Sequence, residues 1–132
     1  IRDSLCRSYS HQIPSASLTG SQRDLQRVTH VMNWVKVHYP EPLSLETAAD
    51  SLALSKEYFC RLFKKYTGQT FLEYLNDVRT MHLYEDLQNS DETITVLMEK
   101  NGLSNYKIFM RTFKKLYGST PQKMRSNRIR HV

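Results

Sequence analysis

Arg61 and Arg111 are the residues whose chemistry is easiest to name. Each lies in the same local pattern, Arg-x-Phe-Lys-Lys, once within SKEYFCRLFKKYTG (55–68) and again 50 residues later within NYKIFMRTFKKLYG (105–118). A guanidinium is a planar fork of donors that fits O6 and N7 of guanine, a contact worth ~1–3 kcal/mol of discrimination against the wrong base. The same group can also bind phosphate or a nearby carboxylate. Glu57 and Lys107 hold equivalent places one turn earlier in the two copies. Glu57 could accept from cytosine N4, or pair with Arg61 four residues on. Lys56, Cys60, Asn105 and Tyr106 are further candidates for contact with base edges. Lys64, Lys65, Lys114 and Lys115 suit phosphate, as do Ser55 and Ser104 in the turns before the two segments. Gln69-Thr70 and Ser119-Thr120 follow them at expected helix starts, where free amides and the helix dipole attract an anion; plain capping explains the same residues.

Such a face needs a helix behind it. Phe59, Leu62, Phe63 and Tyr66 recur at i, i+3, i+4 and i+7, as do Phe109, Thr112, Phe113 and Leu116, which puts each set on one stripe. The four phenylalanines are therefore assigned to core, not to base stacking. The opposite faces carry Lys56, Glu57, Cys60, Arg61, Lys64 and Lys65 in one copy, and Lys107, Met110, Arg111, Lys114 and Lys115 in the other. A solvated lysine face on an ordinary core helix looks the same in one copy; its repetition favours a shared task.

The remaining elements follow in order. A helix is expected from Ser21 or Asp24 to His38, with Val28, Val31, Met32 and Val35 inward and Trp34 at the edge. Pro40 and Pro42 stop it. Ser44 caps a short helix whose Ala48, Ala49 and Leu52 face inward. The turn Ala53-Leu54-Ser55 then leads into the basic helix, completing a helix-turn-helix. Thr70 caps a long helix to about Gln88, with Phe71, Tyr74, Leu75, Val78, Met81 (or His82) and Leu87 apolar. About 19 residues at ~1.5 Å each span roughly 28 Å, close to the ~34 Å turn of B-DNA. Thr93 caps a helix over Ile94 to Asn101, Gly102-Leu103-Ser104 is a second turn, and Thr120-Pro121 opens a last helix. The tail residues Arg125, Arg128, Arg130 and His131 read as frayed and solvated. No alternating strand pattern of useful length occurs, so the chain is read as all-α.

The 132 residues carry a net charge of +6, unevenly spread. Residues 1–26 are net +1, 27–90 net −1 and 91–132 net +6. A polyanionic partner suits that distribution, whereas no long apolar run suits a membrane. Cys6 and Cys60 form no CxxC pair or zinc spacing, which fits a reducing cytoplasm. His30, His38 and His82 show no metal or triad spacing, and no nucleophile–base pair, paired catalytic carboxylates or phosphate loop appears, so neither an enzyme nor a cofactor is expected. Residues 8–22, rich in Ser and Thr with Pro14 and Gly20, read as linker. With Ile1 at the start, they suggest a join to an upstream domain. The expected division is 1–22 tail and linker, 23–90 first helix-turn-helix unit with the long helix, and 91–132 second unit and basic tail.

The run LSLETAADSLALSKEYFCRLFKKYTGQTFLEYLNDVR, followed by NGLSNYKIFMRTFKKLYGSTPQKMR, closely resembles the DNA-binding domain of the AraC/XylS family of bacterial transcription regulators, over roughly Val28 to Arg125. The resemblance implies seven helices, two helix-turn-helix units joined by a long helix, and promoter binding; the length of that helix, close to one turn of B-DNA, is what suggests reading of two successive major grooves. The resemblance further implies activation by contact with RNA polymerase and an upstream sensor domain. The chain departs from the family pattern at Ala53, where glycine is usual, at Leu83 and Met98, where alanine is usual, and at Asn101, where an aliphatic residue is common. The fold also occurs in a DNA-repair methyltransferase, whose cysteine–zinc cluster has no counterpart here. A protein-interaction module on the same scaffold, with DNA binding weak or lost, is the alternative.

Overall fold

A computed structural model describes residues 19–130, with side chains described as far as residue 127. Among the described residues there are seven α-helices and no strand: α1 (Gly20–His38), α2 (Leu45–Ser51), α3 (Lys56–Thr67), α4 (Phe71–Asn89), α5 (Ile94–Lys100), α6 (Tyr106–Tyr117) and α7 (Pro121–Arg130). The all-α reading holds. Most of the expected linker and the basic tail's last two residues lie outside the described residues, but residues 20–22, expected as linker, are already helix. Thr19 and Gln22 form a reciprocal cap: the Gln22 amide donates to Thr19 Oγ1 at 3.1 Å and the Thr19 amide to Gln22 Oε1 at 2.9 Å. That is a capping box, legible in Thr-x-x-Gln but passed over as linker.

The chain forms two compact units. One holds α1 as far as Val37, together with Leu43–Phe71; the other holds His38–Pro42 and the described residues from Leu72 on. In the first, Val28, Val31 and Val35 of α1 are buried, and Trp34, expected at the rim, is buried with them. Ala48 and Ala49 of α2 are fully covered, as small residues at a close helix crossing should be. Phe59 and Phe63 of α3 meet Phe71 in a cluster of tilted and edge-on rings with centroids 5.7–5.9 Å apart, a favoured aromatic arrangement.

In the second unit, Leu83, Leu87, Leu97, Met98, Leu103, Phe109 and Phe113 form the core, with Tyr84, Tyr117 and Met124 against it. Sequence division placed residues 72–90 with the first unit, whereas their packing groups them with the second. Met98 fills core volume here. Asn101 is buried yet satisfied, its amide donating to Asp86 Oδ2 at 3.0 Å and Leu97 O at 2.8 Å.

Helix α4 does not bury a single stripe. Phe71, Tyr74, Leu75 and Val78 are buried, then Thr80, Leu83 and Leu87. At ~100° per residue, these two sets point to nearly opposite sides of the helix. Continuing one stripe into the second half led to Met81, which is exposed.

His38–Pro42 is fastened to α4 by Arg79, which donates Nε to Tyr39 O at 2.6 Å and a terminal nitrogen to Glu41 O at 2.7 Å. Gly102, at φ +81°, packs on this junction: a Cβ there would lie 2.9 Å from Arg79 Nε and 3.1 Å from Pro40 O. The tail reading of Arg125 also changes, because its guanidinium donates to Glu92 O at 2.6 Å and Ser90 O at 3.1 Å.

Two stability predictions follow from these backbone facts. Ala53 takes φ +57°, a left-handed conformation that costs a residue with a Cβ more than glycine; Ala53→Gly should stabilise by up to about 1 kcal/mol in urea unfolding. Gly102→Ala should destabilise by about 1–3 kcal/mol. That loss should exceed the loss for Gly68→Ala, where φ is +76° but a Cβ would meet nothing within 4 Å.

Candidate nucleic-acid interface

Each helix-turn-helix is built in the same way at both ends of its second helix. Ser55 accepts from the Tyr58 amide and Asn105 from the Ile108 amide, capping α3 and α6. Gly68 at φ +76° and Gly118 at φ +72° close them, donating their amides to Lys64 O and Lys114 O. The preceding helices are capped alike, Ser44 accepting from the Thr47 amide and Thr93 from the Val96 amide. Asn105 and Ser55 thus have local work at the helix starts. Thr120 does too, since its hydroxyl accepts from the Lys123 amide at 3.2 Å.

Burial fixes which way each helix is turned. Phe59, Leu62 and Phe63 point inward on α3, as do Phe109, Thr112 and Phe113 on α6. On α3 two tyrosines refine the rotation: Tyr58 Oη donates to the Asp24 carboxylate at 3.2 Å, and Tyr66 Oη to Ser21 O at 3.4 Å. With these directions taken, Lys56, Glu57, Cys60, Arg61, Lys64 and Lys65 are left exposed. On α6 the exposed set is Tyr106, Lys107, Arg111, Lys114 and Lys115. Met110, expected among them, is half-buried against the core. Ser55, Thr70 and Ser104 are exposed, and Gln69, Ser119 and Thr120 half-exposed.

The exposed cations are not equivalent. The Arg61 guanidinium lies 5.8 Å from the centroid of the Tyr58 ring. The Glu57–Arg61 ion pair, one of the two readings open for Glu57, is not among the salt bridges of the described residues. Lys56 instead reaches Glu46 on α2 at 3.4 Å, both side chains well exposed, a contact worth little in water. The Glu46 carboxyl is held below the ordinary carboxylate range by its own backbone amide first and by Lys56 second. Lys65 lies over the Tyr66 ring at 5.4 Å. Lys115, its counterpart in the second copy, donates to Asp77 Oδ1 of α4 at 2.9 Å.

Chemically, each unit offers one exposed arginine, flanked by lysines, on a helix whose back is apolar. That arrangement can place a donor fork against base edges while lysines and amides meet phosphate oxygens. Among the described residues no group of three or more His, Cys, Asp or Glu is placed to hold a metal ion, and no helix is long and apolar enough to cross a membrane.

Comparison with known proteins adds a frame. A family model described as a helix-turn-helix domain matches residues 48–127. An uncharacterised HTH-type transcriptional regulator of Staphylococcus aureus (strain MSSA476) is 33% identical over 102 residues, covering 77% of this chain and 14% of that protein. The chain therefore spans only a small part of that relative's length. Among solved structures, the DNA-binding domain of AdpA, a global transcriptional factor in complex with a target DNA, matches with a TM-score of 0.68 and 25% identity over 76% of this chain and 90% of that one. A transcriptional regulator from Chromobacterium violaceum, of the proteins containing an AraC-type DNA-binding domain, matches with a TM-score of 0.68 and 25% identity over 77% of this chain and 91% of its own.

The exposure of the α3 face has a direct chemical test. In a Cys6→Ser protein, Cys60 should react with a neutral thiol reagent in the folded state about as fast as after denaturation. A reaction that needs unfolding would mean this face is covered.

Proposed function

The chain belongs to the AraC family of helix-turn-helix domains, and on that premise we propose that it binds double-stranded promoter DNA sequence-specifically and regulates transcription. One observation carries the proposal: two helices with the same cap, the same phenylalanine back and the same exposed Arg–Lys–Lys front occur in one chain. In this reading α3 and α6 each enter a major groove. Arg61 and Arg111 contact guanine O6 and N7. Glu57, Lys56, Cys60, Lys107, Tyr106 and Asn105 lie along the same groove-facing edges. Lys64, Lys65 and Lys114 meet phosphates, together with Ser55, Ser104 and the residues at the following helix starts, Gln69-Thr70 and Ser119-Thr120.

The length of α4, 19 residues, supports two successive grooves, since ~1.5 Å per residue gives roughly 28 Å against the ~34 Å turn of B-DNA. The proposal extends to a longer protein in which an upstream sensor domain controls this one, and to activation in the bacterial cytoplasm through contact with RNA polymerase. It assigns no catalytic step to the domain.

The test is a pair of substitutions measured on an operator and on a scrambled duplex. Arg61→Ala should lose ~1–3 kcal/mol of discrimination between them. Lys65→Ala should weaken both alike and reduce the salt slope by about one. An Arg61→Ala protein with unchanged affinity and preference would remove Arg61 from the interface.

A further inference from the structure

The two copies of the basic helix end on the same Lys-Lys pair, and the structure treats the second lysine of each pair differently. Lys65 is exposed and lies over the ring of its neighbour Tyr66, 5.4 Å from the centroid. Lys115 is held by Asp77, 2.9 Å away on α4. Asp77 is no loose surface carboxylate: its side chain is 15% exposed, against 53% for Lys115. The pair sits at an open cleft of about 140 Å³ between α4 and α6. Glu73, Asn76 and Asp77 line one wall; Arg111, Thr112 and Lys115 line the other. Two carboxylates thus face the base-contact candidate of α6 and its lysine neighbour one turn on. No acidic residue faces Lys65 in any ion pair of the described residues.

We propose that Asp77 is a positioning residue for the second reading helix: it holds Lys115 against α4, withholding that ammonium from DNA phosphate. The proposal rests on the DNA-binding reading above. Its physical basis is that a carboxylate largely removed from water is poorly screened, so Lys115 trades little by leaving phosphate to Lys114 and staying where it is. The consequence is an asymmetry that the repeated Arg-x-Phe-Lys-Lys motif hides. The first copy contributes two lysines to counterion release, the second copy one.

The experiment compares salt slopes of binding to a scrambled duplex for the wild-type chain, Lys65→Ala, Lys115→Ala, Asp77→Asn and the Asp77→Asn/Lys115→Ala double variant. Each phosphate contact contributes about 0.9 to the slope. Lys65→Ala should flatten it by about 0.9, Lys115→Ala should leave it unchanged, and Asp77→Asn should steepen it by about 0.9. In the double variant that steepening should disappear, which a general loosening of the fold would not produce. A second arm needs no DNA: acetylation of the free protein should modify Lys115 several-fold more slowly than Lys65, and Asp77→Asn should equalise them. Equal acetylation rates in the wild-type chain, or a Lys115→Ala slope flattened as much as that of Lys65→Ala, would overturn the inference alone. A wild-type chain that holds no duplex at low salt would instead overturn the DNA-binding reading, and the withholding from phosphate with it.

Discussion

The rotation of α3 and α6 about their own axes is the constraint on which the rest depends. Each helix has two phenylalanines, four residues apart, with no exposed surface. Burying one such ring is worth about 1.5–3 kcal/mol, and truncating it to alanine costs about 3–5 kcal/mol. No contact made by the solvent-facing side chains approaches that. The pair therefore decides which way the helix is turned, and Arg61 and Arg111, each two residues from both phenylalanines of its pair, are left outside. A guanidinium on a helix free to roll could not keep a base-reading geometry. The apolar back is what gives the basic front a direction.

On that shared plan the two copies diverge in how the surrounding side chains restrain them. Around α3 the restraints are tyrosine hydroxyls reaching Asp24 and Ser21 of α1. Around α6 they are an ion pair to Asp77 and the stacking of Tyr117 on Tyr84, rings 4.2 Å apart and nearly parallel. In α3 the second lysine of the Lys-Lys pair, Lys65, is in no ion pair of the described residues, whereas its counterpart Lys115 in α6 is held by Asp77. Helix α4 takes part in both cores, with Phe71 among the phenylalanines of the first unit and Leu83 and Leu87 in the core of the second.

Much of this was legible in the sequence, for identifiable reasons. The spacing of Phe59, Leu62 and Phe63, and of Phe109, Thr112 and Phe113, at i, i+3 and i+4, fits one face of a helix and not one face of a strand. Ser44, Ser55 and Thr93 announce helix starts through local chemistry. What was misread depended on contacts distant in sequence. Met81 (or His82) is read onto the apolar side and Leu83, noted only as a departure from alanine, is left off it, because α4 changes its buried face midway and a one-stripe reading cannot see that. Met110 sits at the boundary of the polar face, where its flexible side chain follows the nearby core. Arg125 belongs by sequence to a basic tail, yet two carbonyls 33 and 35 residues upstream anchor it. The Lys115–Asp77 pair spans 38 residues, and no local pattern distinguishes Lys115 from Lys65. The left-handed backbone at Ala53 is the opposite case, because the alanine already marked itself as a departure where glycine is usual.

The most direct measurement of whether both faces read DNA is selection of bound duplexes from a random pool, with the wild-type chain and with Arg61→Ala in parallel. The account predicts two short enriched boxes about 10–10.5 base pairs apart, centre to centre, with guanine preference lost from only one of them in the variant. A pool no different from the input, or a single box that Arg61→Ala leaves intact, would contradict it.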